Sequence, residues 1–212
     1  MDNNGDNKDL KAVTGMDIND INIEEIKHKL ETDMKPKRFV HSVNVMDTAS
    51  RLADFYGVDR KKAEVAAILH DCARNMDKAD VFETCRKYGI EVDEIQRRQP
   101  DLLHGPIAAC IAKFEYGIKD EDVLEAIRVH TTGKENMTML DKIIFIADYI
   151  EPGRDFPGVE NIREWAYKDI DKAILLALES TIGYVIQRGM LLHPDTIYTR
   201  NYIIMSMQDA GK

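Results

Sequence analysis

The chain has few cysteines, no long apolar run and a deficit of positive charge, and each shortage excludes a class of protein. Cys72, Cys85 and Cys110 are an odd set at scattered spacings, which suits neither a disulfide framework nor a thiolate zinc site. No apolar stretch approaches the roughly 20 residues a bilayer-spanning helix needs. The N-terminus lacks the basic-then-apolar pattern of a secretory signal, so a cytoplasmic location and no membrane partner are expected. Lys and Arg number 29 against 38 Asp and Glu, a net charge of −9. Such a balance argues against nucleic acid as a partner, since broad backbone binding needs a basic surface. It leaves room for a small anionic substrate held by local cations. Strand-like alternation and internal repeats are also missing, which points to an all-α fold.

What is present is an ordinary globular composition, 44% hydrophobic and 32% charged over 212 residues, enough for one well-buried core. Residues 1–18 are rich in Asn, Asp, Gly and Lys without apolar periodicity and read as a flexible leader. Residues 19–212 read as a single domain with C-terminal helices. Ile21, Ile23, Ile26 and Leu30 begin a short amphipathic helix with Asp20 as its cap and His28 on its polar side. Pro36 opens a second helix, which Gly57 closes, and Asp59 caps a third.

That third helix, from about Arg60 to Asp71, is apolar around most of its circumference and should be the buried centre. It ends in His70-Asp71. A carboxylate beside a core is costly unless something cationic meets it; a metal ion is one partner, Arg74 another. A helix from 77 to 88 follows, then a polar surface loop through Gln96-Arg97-Arg98-Gln99-Pro100.

His104 precedes Gly105-Pro106, a helix N-terminus whose dipole favours an anion. His130 ends the next helix, where the dipole favours a charged imidazolium, either as a plain cap or to meet phosphate. Thr138 and Asp141 form a capping box for a helix carrying Asp148, a second carboxylate among apolar residues. Arg154 follows as its counter-ion or as a phosphate clamp. Helices over 159–167 and 169–188 look structural, and the end of the chain is mixed, with His193 in a loop.

His41 flanks the apolar face of the second helix, either as a hydrogen-bonded histidine at a helix contact or as a ligand. Together His41, His70, Asp71 and Asp148 make a mixed nitrogen–oxygen set suited to iron, manganese, cobalt or zinc. Without thiolates it is not a closed structural zinc site. Open positions on such an ion would take water and a phosphate oxygen, so metal-assisted phosphoester or phosphoanhydride hydrolysis fits these parts.

The order of these motifs resembles the HD superfamily of metal-dependent phosphohydrolases, a histidine, then His-Asp, then a distant aspartate. More closely, Lys37-Arg38-Phe39-Val40-His41-Ser42, Leu69-His70-Asp71, Leu102-Leu103-His104-Gly105-Pro106, Ala126-Ile127-Arg128-Val129-His130-Thr131 and Phe145-Ile146-Ala147-Asp148-Tyr149-Ile150-Glu151-Pro152-Gly153-Arg154 are similar to the YqeK family, over about 22–205. The resemblance implies an HD-domain helical bundle and a symmetrical diadenosine tetraphosphate hydrolase that cuts the central anhydride to give two ADP. Carried over, His41, His70, Asp71 and Asp148 would hold one iron, with manganese, cobalt or zinc as substitutes. His41, His104, His130, Thr131 and Arg154 would face the nucleotide, and Asp71, His104, His130 and Arg74 would carry catalysis. Family members commonly have lysine where Arg74 stands; arginine keeps the charge but does not release a proton. The partners implied are a dinucleoside polyphosphate and its ADP product, with a homodimer left open. The alternatives are another HD-type nucleotidase or phosphodiesterase, or a nucleotide-sensing or ribosome-associated module without turnover.

Overall fold

Helix ends rather than helix faces organise this molecule. The structure is a computed structural model that describes residues 16–211; of the expected leader, residues 1–15 lie outside it. Residues 16–18 are not loose. The Met16 amide donates to the Gly117 carbonyl at 3.3 Å, and a short 3-10 turn follows at Ile18–Asp20. Helix α1 is Ile23–Asp33, α2 Pro36–Tyr56, α3 Arg60–Leu69 and α4 Lys78–Tyr88. Then come α5 Glu94–Arg98, α6 His104–Glu115, α7 Glu121–Val129 and α8 Met139–Ile150. The last are α9 Val159–Ala166, α10 Ile170–Gln187 and α11 Pro194–Asp209. No strand occurs among the described residues, only the isolated bridge of Met16 with Ile118.

The terminators act as the residue types require. Gly57 closes α2 at φ 68°, a conformation that costs glycine little. The Asp59 carboxylate accepts from the Lys62 amide to start α3, and Thr138 with Asp141 forms a reciprocal capping box at α8. Helix α3 lies at the centre, packed by α2, α7 and α8, and every residue from Val65 to Leu69 is fully buried. Helix α6 packs on α7, α10 on α8 and α9, and α11 on α10. No helix is long and apolar enough to cross a membrane among the described residues.

Four local expectations are corrected. Asn22, not Asp20, caps α1, because its side chain reaches the Glu24 and Glu25 amides while Asp20 is taken up in the preceding turn. Helix α3 stops at Leu69, so His70 is its cap and Asp71 lies in the turn beyond. The polar stretch before Pro100 is not a loop, since a capping box between Asp93 and Gln96 starts α5 and Pro100–Leu103 form a 3-10 turn running directly into α6. The mixed C-terminal segment is the 16-residue α11, capped by His193 accepting from the Asp195 amide. It buries little besides Thr196, Thr199 and Ile203, too thin a stripe to announce itself by periodicity.

Candidate metal centre and substrate cleft

The last carbonyls of a helix have no intrahelical donor, and two histidines exploit this in the same way. His70 caps α3 and its Nδ1 donates to the Ala67 carbonyl at 2.6 Å. His130 caps α7 and donates to the Ile127 carbonyl at 2.7 Å. His104, just past the 3-10 turn, differs: its Nδ1 stands between the Asp101 carbonyl at 2.5 Å and the Arg74 Nη1 donor at 2.8 Å. His41, inside α2, is oriented instead by the Glu151 carboxylate, with Nδ1 3.1 Å from Oε1. In His70 and His130 the donating Nδ1 leaves Nε2 as a bare lone pair, the form in which imidazole binds a metal.

All four Nε2 atoms converge on Asp71 and Asp148. His41 Nε2 lies 3.0 Å from Asp148 Oδ1 and 3.8 Å from Asp71 Oδ2. His70 Nε2 is 3.8 Å from Asp71 Oδ2 and 3.9 Å from Asp148 Oδ1. The other Asp71 oxygen, Oδ1, faces His104 Nε2 at 3.2 Å and His130 Nε2 at 3.9 Å. The two latter nitrogens are 3.0 Å apart, with the Thr131 hydroxyl 3.2 Å from each. His70 Nε2 is buried with no hydrogen-bond partner among the described residues. Lone pairs crowded in this way repel unless a cation sits among them, and buried polar atoms left without partners are rare. Three overlapping groups have donor atoms close enough to share an ion: His41, His70 and Asp71; His70, His130 and Asp148; and Asp71, His104 and His130.

The electrostatics agree. Burial alone would raise the Asp71 carboxyl, yet His70 and the His104 hydrogen bond hold it far below the ordinary carboxylate range. Asp148 is held down likewise against burial, by His41, His70 and Arg154. Burial lowers His70. Burial, aided by His104 and His70, brings His130 down to about 3, so the charged imidazolium expected from the α7 dipole is not found. Desolvation outweighs the dipole because the ring is only 3% exposed. His41 is the exception: burial pulls it down, but the bond to Asp148 and that residue's charge carry it above the ordinary histidine value.

Around this floor opens a cleft of about 500 Å³ lined by Arg38, Arg74, Arg154, Thr131, Tyr149 and Tyr184, among others. Arg38 Nη1 donates to Asp71 Oδ2 at 3.0 Å. Arg74 Nη1 donates at 3.1 Å to the Asp101 carbonyl that also faces His104 Nδ1. Arg154 bonds both the carbonyl and the carboxylate of Asp148. It is thus the counter-ion of Asp148 and a cleft residue at once. The segment carrying it is stitched down by Arg163 of α9, which donates to the Ile150, Glu151 and Arg154 carbonyls at 2.8–2.9 Å. Gly105 allows α6 to approach α7: a Cβ there would lie 2.8 Å from the Arg128 carbonyl and 3.4 Å from His130 Nδ1.

His41, His70, Asp71, Arg74, His104, His130, Thr131, Asp148 and Arg154 therefore meet in one place, while His28 and His193 lie elsewhere. Two that matter were overlooked, although both stand inside the quoted motifs. Arg38, one turn before His41 on α2, was a visible signal of a cation beside the ligand. Glu151, a carboxylate at the end of an apolar helix, carried the same signal as Asp148.

The HD domain family matches residues 38–153, a span that contains the complete cluster. This chain belongs to the HD-domain family. Three curated relatives are named symmetrical bis(5'-nucleosyl)-tetraphosphatase. That of Halalkalibacterium halodurans is 44% identical over 81% of this chain and 91% of its own length. The Staphylococcus aureus relative is 41% identical over 86% and 94%, and the Bacillus subtilis one 37% over 87% and 98%. A crystal structure from Clostridium acetobutylicum, of a predicted HD superfamily hydrolase involved in NAD metabolism, superposes with a TM-score of 0.85 at 45% identity. It covers 87% of this chain and 98% of that one. The all-α HD bundle expected from the sequence is the fold of this protein.

Proposed function

We propose that this protein hydrolyses diadenosine tetraphosphate and related dinucleoside tetraphosphates at the central anhydride, releasing two ADP. The observation that carries the reading is the buried floor of four imidazole nitrogens and two carboxylates beneath a rim of three arginines. In it His41, His70, Asp71 and Asp148 hold a divalent ion, iron being the identity the resemblance implies. One ion was expected, with His104 and His130 turned to phosphate. Asp71, His104 and His130 also offer donor atoms close enough to share a second ion, and on that reading the two histidines hold metal rather than phosphate.

Bound divalent ions in such a donor set supply charge for phosphoryl oxygens and bring the pKa of a bound water from about 15.7 down towards 7. The chain does the rest. Arg38, Arg74 and Arg154 present planar guanidiniums that match phosphate oxygens in pairs, and the Thr131 hydroxyl adds a neutral donor. Held this way, one of the two inner phosphorus atoms faces the floor; water attacks it, its bond to the bridging oxygen breaks, that oxygen leaves on the second ADP, and the proton of the water passes to solvent. The leaving ADP ends in a phosphate whose last pKa is about 6, so it departs as an anion and needs no proton from Arg74. Arginine in place of lysine is consistent with that.

The test is product analysis. Protein loaded with ferrous iron or manganese is given diadenosine tetraphosphate, and ADP should be the only early product, absent in His70→Ala. AMP with ATP would move the cut to another anhydride, and no turnover by fully loaded protein would overturn the reading. Metal analysis of His104→Ala should show about one ion fewer per chain than the parent; unchanged content would return His104 to the phosphates.

A further inference from the structure

A substrate cut at its centre carries a nucleoside two phosphates away on either side, so its ends lie outward from the metal floor. Two neighbouring grooves continue the cleft. One shares Thr131 with the cleft and contains Arg128 and Lys134, but both cations are occupied by Glu125, at 2.6 and 2.8 Å, and Lys134 also by Asp141. The other, of about 500 Å³, shares Tyr149, Phe156, Thr181 and Tyr184 with the cleft and is otherwise formed by the exposed side of α10.

We infer that this second groove is a nucleobase subsite in which Tyr184 is the stacking platform; the inference rests on the proposed reaction and adds where one nucleoside binds. Tyr184 is 54% exposed and lines both the cleft and the groove, which leaves a large aromatic surface open beside the metal floor. The Arg188 guanidinium lies 5.2 Å from its ring centroid, so a base on the opposite face completes a cation–aromatic–base stack. The back wall is rigid: the Tyr149 and Phe156 rings meet edge-on at 5.1 Å, and Thr181 Oγ1 donates to the Tyr149 hydroxyl at 3.4 Å. Beside the platform stands Gly183, inside a helix, where glycine costs about 1 kcal/mol relative to alanine. A Cβ there would touch nothing within 4 Å. Close packing does not require this glycine. Its effect is to leave the groove open next to the ring. Every base has a π-face, so such a platform accepts dinucleotides with little discrimination among bases.

The experiment compares ADP with inorganic tripolyphosphate, which has the phosphates and no base, by calorimetry on metal-loaded protein. Tyr184→Ala should weaken ADP about tenfold, the range for losing one stacked base, and leave tripolyphosphate unchanged. Gly183→Leu fills the groove while improving the helix, so it should also weaken ADP selectively with no loss of melting temperature. Unchanged ADP affinity in both variants would overturn the subsite, as would equal losses for the two ligands. So would a dimer that dissociates in Tyr184→Ala while ADP binding persists, since a second copy would then be the occupant of the ring. Absence of turnover by the parent protein bears on the reaction; the ratio of ADP to tripolyphosphate affinity bears on the subsite alone.

Discussion

Glu151 Oε1 takes the Nδ1 proton of His41 at 3.1 Å, while Oε2 accepts from Asn44 Nδ2 at 3.0 Å and from the Gly153 amide. One carboxylate, 3% exposed, thus aims a proposed ligand and folds the turn that carries Arg154. All three of its partners are donors.

Glu151→Gln keeps the shape but turns an NH₂ group towards at least one of those donors. We expect metal affinity to fall by about 10- to 100-fold, as when an orienting partner of a ligating histidine is lost. Competition with a chelator measures it, with circular dichroism as the check that the helices remain. Unaltered affinity would reduce Glu151 to a turn cap.

Gly105→Ala should separate α6 from α7. Its methyl would sit 2.8 Å from the Arg128 carbonyl, backbone that cannot swing aside. Overpacking of this kind costs about 1–3 kcal/mol. Because His104 adjoins the clash and His130 lies beneath it, turnover should fall together with the melting temperature. A variant as active and as stable as the parent would show that the helix contact has slack.

Metal binding should weaken with acid through His41. Its pKa lies above the ordinary value because Asp148 favours the charged ring, so below that pKa a proton on Nε2 must leave before an ion enters. His70 and His130, both lowered, hold none at neutral pH. One displaced proton means about a tenfold loss of affinity per pH unit below the His41 pKa and a plateau above it. Titration calorimetry between about pH 5.5 and 8.5 reads the slope, and a flat profile would contradict a His41 ligand.

Asp93 ties α5 to α11. Its Oδ2 accepts from His193 Nε2 at 2.8 Å, and its other oxygen caps α5. Burial works against the carboxylate, but the Gln96 amide and His193 together hold its pKa below the ordinary value. A depressed carboxyl adds stability above its unfolded pKa and loses it as pH falls through the folded one. Asn caps a helix as well as Asp, so Asp93→Asn isolates the contact with His193. Its melting temperature should be about 1–2 °C lower at neutral pH, the scale of an exposed pair, and should converge on the parent's as pH falls through the folded pKa of Asp93. A deficit that persists in acid would mean the charge is not its source.

The parts legible in the sequence were those with apolar context. His70, Asp71 and Asp148 stand out because each ends or interrupts a run that should be buried, and a buried carboxylate demands a partner. Pairing was not legible. Nothing in the spacing of His104 and His130 says that their Nε2 atoms lie 3.0 Å apart, because that depends on how closely Gly105 lets two helices approach. The charge of His130 was misjudged since a dipole is a local property and burial is not. Helices α5 and α11 escaped because capping, rather than periodicity, defines the first, and the second buries a few polar residues instead of a stripe.

The donor atoms come from α2, from the ends of α3 and α7, from the start of α6 and from α8, so no fragment of the chain holds the set. An unfolded or half-folded copy has scattered imidazoles and carboxylates and no place where their lone pairs crowd. Metal uptake by this protein is therefore a certificate of completed folding. In a population of molecules, the bound ion counts the finished ones.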